Sequence, residues 1–197
     1  MSTKNFFLGL VAALSLNLFL IHAQEKQRES PPPPKTGFRA EFLTQLNDVE
    51  KKLTDLANAV PPERYSWRPM EGVRSVSEVF MHIAGANYLL PQSIGIKAPA
   101  GLDRDMEKTT TDKTKVLETL RESFAFMRQA ALSTPDTDLD KPAKLFGEET
   151  TIRGVFFNAA VHMHEHLGQS IAYTRMNHIV HPWTAREQER NKENSKK

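Results

Sequence analysis

Cysteine is absent from the 197 residues of this chain. Its absence excludes a cysteine nucleophile and any zinc site with thiolate ligands. It also excludes bacterial lipidation, because that modification needs a cysteine directly after an apolar leader. A chain without thiols is compatible with an oxidising compartment, where a free thiol would be a liability.

The chain also has little excess charge of either sign. Its 26 basic and 24 acidic side chains give a formal net charge of +2 at pH 7, and aromatic residues make up 8% of the sequence. The aromatic residues do not alternate with a basic stripe, as single-strand nucleic-acid binding would require. We therefore expect no nucleic-acid partner. The sequence also lacks a G-x-S-x-G motif and a phosphate-binding glycine loop, which argues against the two enzyme classes that these motifs define.

One apolar run does occur, near the N-terminus, from Phe6 to Ile21. It follows Lys4 and precedes the small residue Ala23, and it is shorter than the roughly 20 residues of a membrane-spanning helix. This order of features is typical of a secretory signal. We predict a signal peptide at residues 1–23 and an exported, periplasmic or secreted bacterial protein, without stable membrane insertion after cleavage. An uncleaved N-terminal anchor is the alternative.

The rest of the chain divides into three parts. Residues 24–36 contain four consecutive prolines, Pro31 to Pro34, which favour a stiff polyproline II linker. Residues 37–183 hold four segments with apolar residues at three- and four-residue steps, which predicts amphipathic helices. These run from about Phe38 to Val60, from Ser75 to about Pro91, from about Asp112 to Ser133 and from about Ile152 to Asn177. Residues 184–197 are charged and lack apolar periodicity, which predicts a flexible tail.

Four helices with apolar faces favour an all-α fold, a four-helix bundle. Ser75 and Glu78 predict a capping box at the start of the second helix. The segment from Gln92 to Thr111 is expected to be a long connection. The segment from Thr134 to Thr151 is expected to be a polar loop, because the sequence contains no convincing strand hairpin.

Two histidines, His162 and His166, are four residues apart within the fourth predicted helix. This spacing places both imidazoles on one helix face. His82 lies on a mostly apolar stripe of the second predicted helix, so we expect it inside the bundle, where an imidazole needs a hydrogen-bond partner or a metal. His164 falls on the opposite side of its helix and is not a candidate ligand. Together, His82, His162 and His166 predict a metal site with three histidine ligands and one open coordination position.

Three neutral imidazoles are suitable ligands for Zn²⁺, Ni²⁺, Fe²⁺ or Mn²⁺. The general order of metal affinities does not identify which of these ions is bound. On zinc, a water in the open position becomes a nucleophile near neutral pH. Gln169 lies on the same helix face as His162 and His166, and Glu165 lies beside that face. These two are therefore the candidate catalytic residues that would position the water.

Two alternatives remain open at this point. The histidines of the fourth helix could be a structural pair in the core or on the surface. The order H-x-x-E-H from His162 to His166 also fits the inverted zincin motif. That motif usually needs a further acidic ligand downstream, and here the downstream glutamates lie only in the polar tail.

The sequence around these histidines resembles the DinB-like family of metal-binding four-helix bundles. The matching segments are Trp67-Arg68-Pro69, Ser75 to Ala84, and His162 to Gln169 followed by Tyr173. The likeness extends over about residues 37–183. It implies an up-down-down-up bundle, often dimeric, that binds a divalent metal through His82, His162 and His166. One difference is Leu167, where family members often have arginine.

The resemblance also implies candidate functions, because relatives include metal-dependent hydrolases and thiol-dependent S-transferases. We expect a metal-dependent hydrolase that acts on a small-molecule substrate through a metal-bound water. A non-catalytic bundle that binds metal or a small molecule is one alternative, and a thiol-dependent S-transferase is another. The thiol cosubstrates of the transferases are cytoplasmic, so the predicted export argues against the transferase. A homodimer is a further expectation.

Overall fold

The structure of the protein is a computed structural model that describes residues 32–103 and 105–196. The predicted signal peptide at residues 1–23 and the linker as far as Pro31 lie outside the described residues. Across the described residues, no helix combines the length and the apolar character needed to cross a membrane.

The described part of the chain is all-α, as the sequence predicts, apart from one short hairpin. Four long helices form the bundle: α1 (Gly37–Ala59), α2 (Val76–Leu89), α3 (Lys113–Ser133) and α4 (Ile152–Met176). Their bounds agree with the four predicted segments to within one or two residues. Short 3₁₀ helices lie at Pro62–Arg64, Leu90–Ile94, Met106–Lys108 and Asp136–Asp138.

The core lies between these four helices. Helices α1 and α2 each pack against both α3 and α4. The large side chains that are completely buried there include Leu46, Leu53, Phe80, Phe124 and Phe156. Burial of an apolar side chain of this size contributes about 1.5–3 kcal/mol. The contact between α2 and α4 brings the predicted ligand histidines of the two helices toward each other.

Capping residues fix the points at which the two histidine-bearing helices begin. Ser75 Oγ accepts a hydrogen bond from the Glu78 N–H at 3.3 Å, and the Glu78 carboxylate accepts one from the Ser75 N–H at 2.7 Å. This is the predicted capping box of α2. At the start of α4, Thr151 Oγ1 accepts a hydrogen bond from the Gly154 N–H at 3.1 Å. The caps therefore help to set which residues of α2 and α4 face each other.

The prediction of a polar loop without strands at Thr134–Thr151 is wrong. Pro142–Leu145 (β1) and Glu148–Thr151 (β2) pair as an antiparallel hairpin. The turn Phe146-Gly147 joins them, with φ values of 53° and 92°. Alanine, lysine and glutamate, which are depleted in strands, occupy much of this hairpin, and the turn is not the Asn-Gly pair that usually marks one. The hairpin therefore has no clear strand signal in the sequence.

Residues 184–197, predicted as a charged flexible tail, lie mostly in a fifth helix, α5 (Pro182–Asn194). Proline at the first position and many glutamate, arginine and lysine residues favour a helix even without an apolar face. No residue of α5 is buried, which agrees with the missing apolar periodicity. Its side-chain contacts with the bundle include an ion pair between Arg186 and Asp55 at 3.2 Å.

Candidate metal centre

The structure brings the three predicted ligand histidines together. His82 projects from α2, and His162 and His166 project from successive turns of α4. One ring nitrogen from each lies within 4.8 Å of the other two. The Nε2 atoms of His82 and His162 are 3.0 Å apart. The three imidazoles therefore form one cluster, as the sequence spacing predicts.

Oxygen acceptors hold the Nδ1 side of two of these imidazoles. The Glu107 carboxylate contacts His82 Nδ1, and Gln169 Oε1 lies 2.8 Å from His166 Nδ1. An oxygen acceptor at this position takes a hydrogen bond from Nδ1–H, which leaves the lone pair on Nε2. A histidine that binds metal through Nε2 usually has this partner on its other nitrogen. His162 Nδ1 is buried and has no protein partner among the described residues.

Further hydrogen bonds join the two acceptors to each other through Arg74 and Tyr173. The Arg74 guanidinium donates to Glu107 at 2.8 and 3.2 Å. Gln169 Nε2 donates to the Tyr173 hydroxyl at 3.1 Å, and this hydroxyl donates to the Arg74 carbonyl oxygen at 3.0 Å. The chain of contacts from Glu107 through Arg74, Tyr173 and Gln169 fixes the orientation of both acceptors.

The surroundings of His162 and His82 favour their neutral imidazoles. Burial, followed by the nearby His166 and His82 rings, lowers the pKa of His162 to about 4. Burial also lowers the pKa of His82, although the hydrogen bond to Glu107 opposes this shift. We therefore describe the contact between His82 and Glu107 as a neutral imidazole donating to a carboxylate. Burial tends to raise the pKa of Glu107, but Arg74 and His82 outweigh it and lower that pKa.

The metal-free protein is expected to lose stability as the pH falls from about 6.5 to about 4. In this window the unfolded chain binds a proton at His162 and the folded chain does not, so protonation favours unfolding. A shift of this size corresponds to about 3.4 kcal/mol at full strength, and because His162 is only partly buried, solvent screening is expected to reduce this to about 1–2 kcal/mol. Urea unfolding across this pH range would measure the loss, and His162→Gln should make it smaller. Equal pH dependence in the two proteins would contradict the assignment to His162.

The donor set fits a divalent transition metal. Zinc bonds to histidine of about 2.0–2.1 Å in a tetrahedron place ligand nitrogens roughly 3.3 Å apart, which is close to the 3.0 Å between His82 and His162. Two Nε2 lone pairs at this distance repel each other unless a proton or a cation lies between them. Neutral imidazoles suit zinc, nickel, iron or manganese, so the Nε2 separation of His82 and His162 and the tautomers of His82 and His166 are suitable for such an ion.

A cavity of about 820 Å³ opens beside the cluster. His82, His162 and Glu107 line one part of it, and most of the remaining lining residues are apolar. A cavity of this size is within the range that holds small organic molecules. The cluster is therefore accessible from a space large enough for a substrate.

The two predicted catalytic residues lie in different settings. Gln169 contacts His166 and orients its ring, as described above. Glu165 is exposed on α4, and it is not one of the residues that line the cavity. The catalytic roles of both residues remain predictions.

Sequence reasoning missed Glu107 and Arg74. Glu107 lies in the short 3₁₀ helix Met106–Lys108, inside the segment that was predicted only as a connection. The rule that metal-binding histidines need an acceptor on the second nitrogen predicts that such a residue exists. It does not indicate which of the 24 acidic residues fills the position, because the acceptor has no fixed spacing from the histidine.

Three histidines that converge from two helices of an all-α bundle define the structural class of this protein. Residues 45–170, more than half of the chain, match the sequence model of the DinB superfamily. The chain therefore belongs to the DinB superfamily, as its resemblance to DinB-like proteins predicts.

Individual relatives agree with this membership. YjoA, an uncharacterized protein of Bacillus subtilis strain 168, is 27% identical over 144 residues, which cover 72% of this chain and 90% of YjoA. The crystal structure of YjoA matches with a TM-score of 0.55 at 23% identity, over 73% of this chain and 96% of that one. A DinB-like protein from Bacillus cereus ATCC 10987 matches with a TM-score of 0.64 at 18% identity, over 72% and 93%. These structural matches show the shared fold.

Proposed function

We propose that the protein binds a divalent metal ion through His82, His162 and His166 and acts as a metal-dependent hydrolase on a small organic molecule. The observation that supports this proposal is the convergence of three imidazole nitrogens within 4.8 Å of one another at the wall of a large cavity. Three protein ligands leave a coordination position open, which is typical of catalytic metal sites and not of closed structural ones.

The metal would supply Lewis acidity and would activate a water for attack on the substrate. The protein's own residues would bind and orient. His82 and His162 line the cavity, so a substrate in it lies next to these two ligands. Gln169 holds the His166 ring through Nδ1 at 2.8 Å, and we assign it a positioning role in this function.

Metal-dependent turnover tests the proposal. Protein stripped with EDTA and reloaded separately with zinc, nickel, iron or manganese is expected to hydrolyse p-nitrophenyl acetate or butyrate with at least one metal. Rates should return to background after renewed chelation. His162→Ala should lack turnover because it removes a ligand, whereas His164→Ala should retain it.

Other results would indicate the alternative functions. Stoichiometric metal and binding of an organic molecule without any turnover would identify a non-catalytic binding bundle. Metal-dependent conjugation of a thiol to an electrophile would identify an S-transferase. Turnover that survives both chelation and His162→Ala would contradict a role of the metal site in hydrolysis.

The location and assembly of the protein are part of the same proposal. Export to the periplasm or the medium is supported by the order of features in residues 1–23, which lie outside the described residues.

A homodimer is supported by Phe157 and Val161, which are exposed one turn apart on α4. Secretion assays in a bacterial host and light scattering of the purified protein would test these two points.

A further inference from the structure

Phe146 has an unusual backbone conformation for an aromatic residue. It occupies the first position of the two-residue hairpin turn with φ of 53°, followed by Gly147 with φ of 92°. Positive φ at both positions is the pattern of a type I′ turn, in which asparagine, aspartate and glycine are preferred. A bulky residue with positive φ is strained. Nothing in the turn itself therefore favours phenylalanine here.

The side chain of Phe146 is not buried in the protein either. It is 75% exposed, so the free protein gains little from burying its ring. Phe146 nevertheless lines the cavity that adjoins His82 and His162. The benefit of an aromatic ring at this position would therefore come from a molecule bound in the cavity.

The cavity extends along α2. His82, Ala86 and Leu89 all line it, and a rise of 1.5 Å per residue places the first and last of these about 10 Å apart along the helix. Small residues line this wall. At Gly85, for example, an added Cβ would lie only 3.2 Å from the Met106 sulfur, so the glycine lets Met106 pack closely against α2.

We infer that this cavity is the substrate site, that it takes an organic molecule with a mainly apolar body up to about 10 Å long, and that Phe146 packs over this body. One end of the molecule reaches the histidine cluster. Phe146 is then a specificity-determining residue, which selects for apolar substrates. This inference rests on the proposed function for the chemistry at the histidine end, but the binding of the apolar body can be tested without turnover.

Binding of 1-anilinonaphthalene-8-sulfonate, an aromatic probe whose fluorescence rises in apolar sites, provides the test. Phe146→Ala is expected to weaken probe binding about tenfold, because it removes an aromatic contact. Phe157→Ala is the matched control: Phe157 is also an exposed phenylalanine, at 64%, but it does not line the cavity. Ala86→Phe should place a ring in the part of the cavity between His82 and Leu89 and weaken probe binding by obstructing that part.

A second variant separates binding from stability. Phe146→Asn places the preferred Asn-Gly pair in the turn, so the Tm should rise by about 2–4 °C while probe binding falls as in Phe146→Ala. Equal probe affinity in Phe146→Ala and Phe157→Ala, or full binding in Ala86→Phe, would overturn the inference. Absence of ester turnover in a protein that shows the expected probe binding would contradict the hydrolase and leave this inference intact.

Discussion

Replacing His162 by alanine is expected to abolish stoichiometric zinc binding. The substitution removes one of three ligands, and its effect should exceed the 10- to 100-fold that loss of a ligand's outer hydrogen-bond partner typically costs. Metal analysis after dialysis against zinc, together with competition against a chelating dye, would measure the loss. His82→Ala and His166→Ala should behave in the same way, because the ring nitrogens of all three histidines share one centre.

His164→Ala provides the matched control for these variants. His164 lies on the same helix, two residues from His162, and its Nδ1 is 2.9 Å from the Ala160 carbonyl oxygen, away from the cluster. Removing this imidazole changes the histidine content of the protein by the same amount but should leave zinc binding unchanged. If the four alanine variants lost zinc equally, or if none lost it, the three-histidine site would be wrong.

Helix periodicity explains why the ligand set is visible in the sequence. Residues four apart lie on one helix face, so His162 and His166 can be paired without any knowledge of the fold. His82 is placed inside by the apolar residues on its own stripe. The sequence does not show that α2 and α4 are in contact, and the structure adds this information. Such a contact is common in a bundle of four amphipathic helices.

Features that depend on loops could not be predicted in the same way. The hairpin Pro142–Thr151 has strands of four residues and an atypical turn, so it has no periodicity to detect. The cavity is formed partly by residues of the segment 97–103 and by Met106, and their positions depend on how these residues pack against the bundle. Side chains in such a segment have no helical register that relates them to the histidines.

Among residues outside the four long helices, Glu107 is expected to have the largest effect on zinc affinity when it is substituted. Glu107→Ala should weaken zinc binding by about 10- to 100-fold, the range found for loss of a partner that orients a histidine ligand. The substitution removes the acceptor of His82 Nδ1–H, so the ring can rotate and its tautomer is no longer fixed. A modest fall in Tm is expected in addition, because the Glu107 side chain is only 30% exposed and its loss also removes the ion pair with Arg74.

The comparison of two substitutions distinguishes orientation from charge. Glu107→Gln keeps an oxygen that can accept from His82 Nδ1–H but removes the negative charge that also binds Arg74, so its zinc affinity should lie between those of the wild type and Glu107→Ala. Glu118→Ala, which removes an exposed glutamate of α3, controls for the change in net charge. If Glu107→Ala bound zinc as tightly as Glu118→Ala, the carboxylate would have no part in the metal centre. A loss of affinity at Glu107 alone would show that a residue without any sequence signal determines how well the three histidines bind their ion.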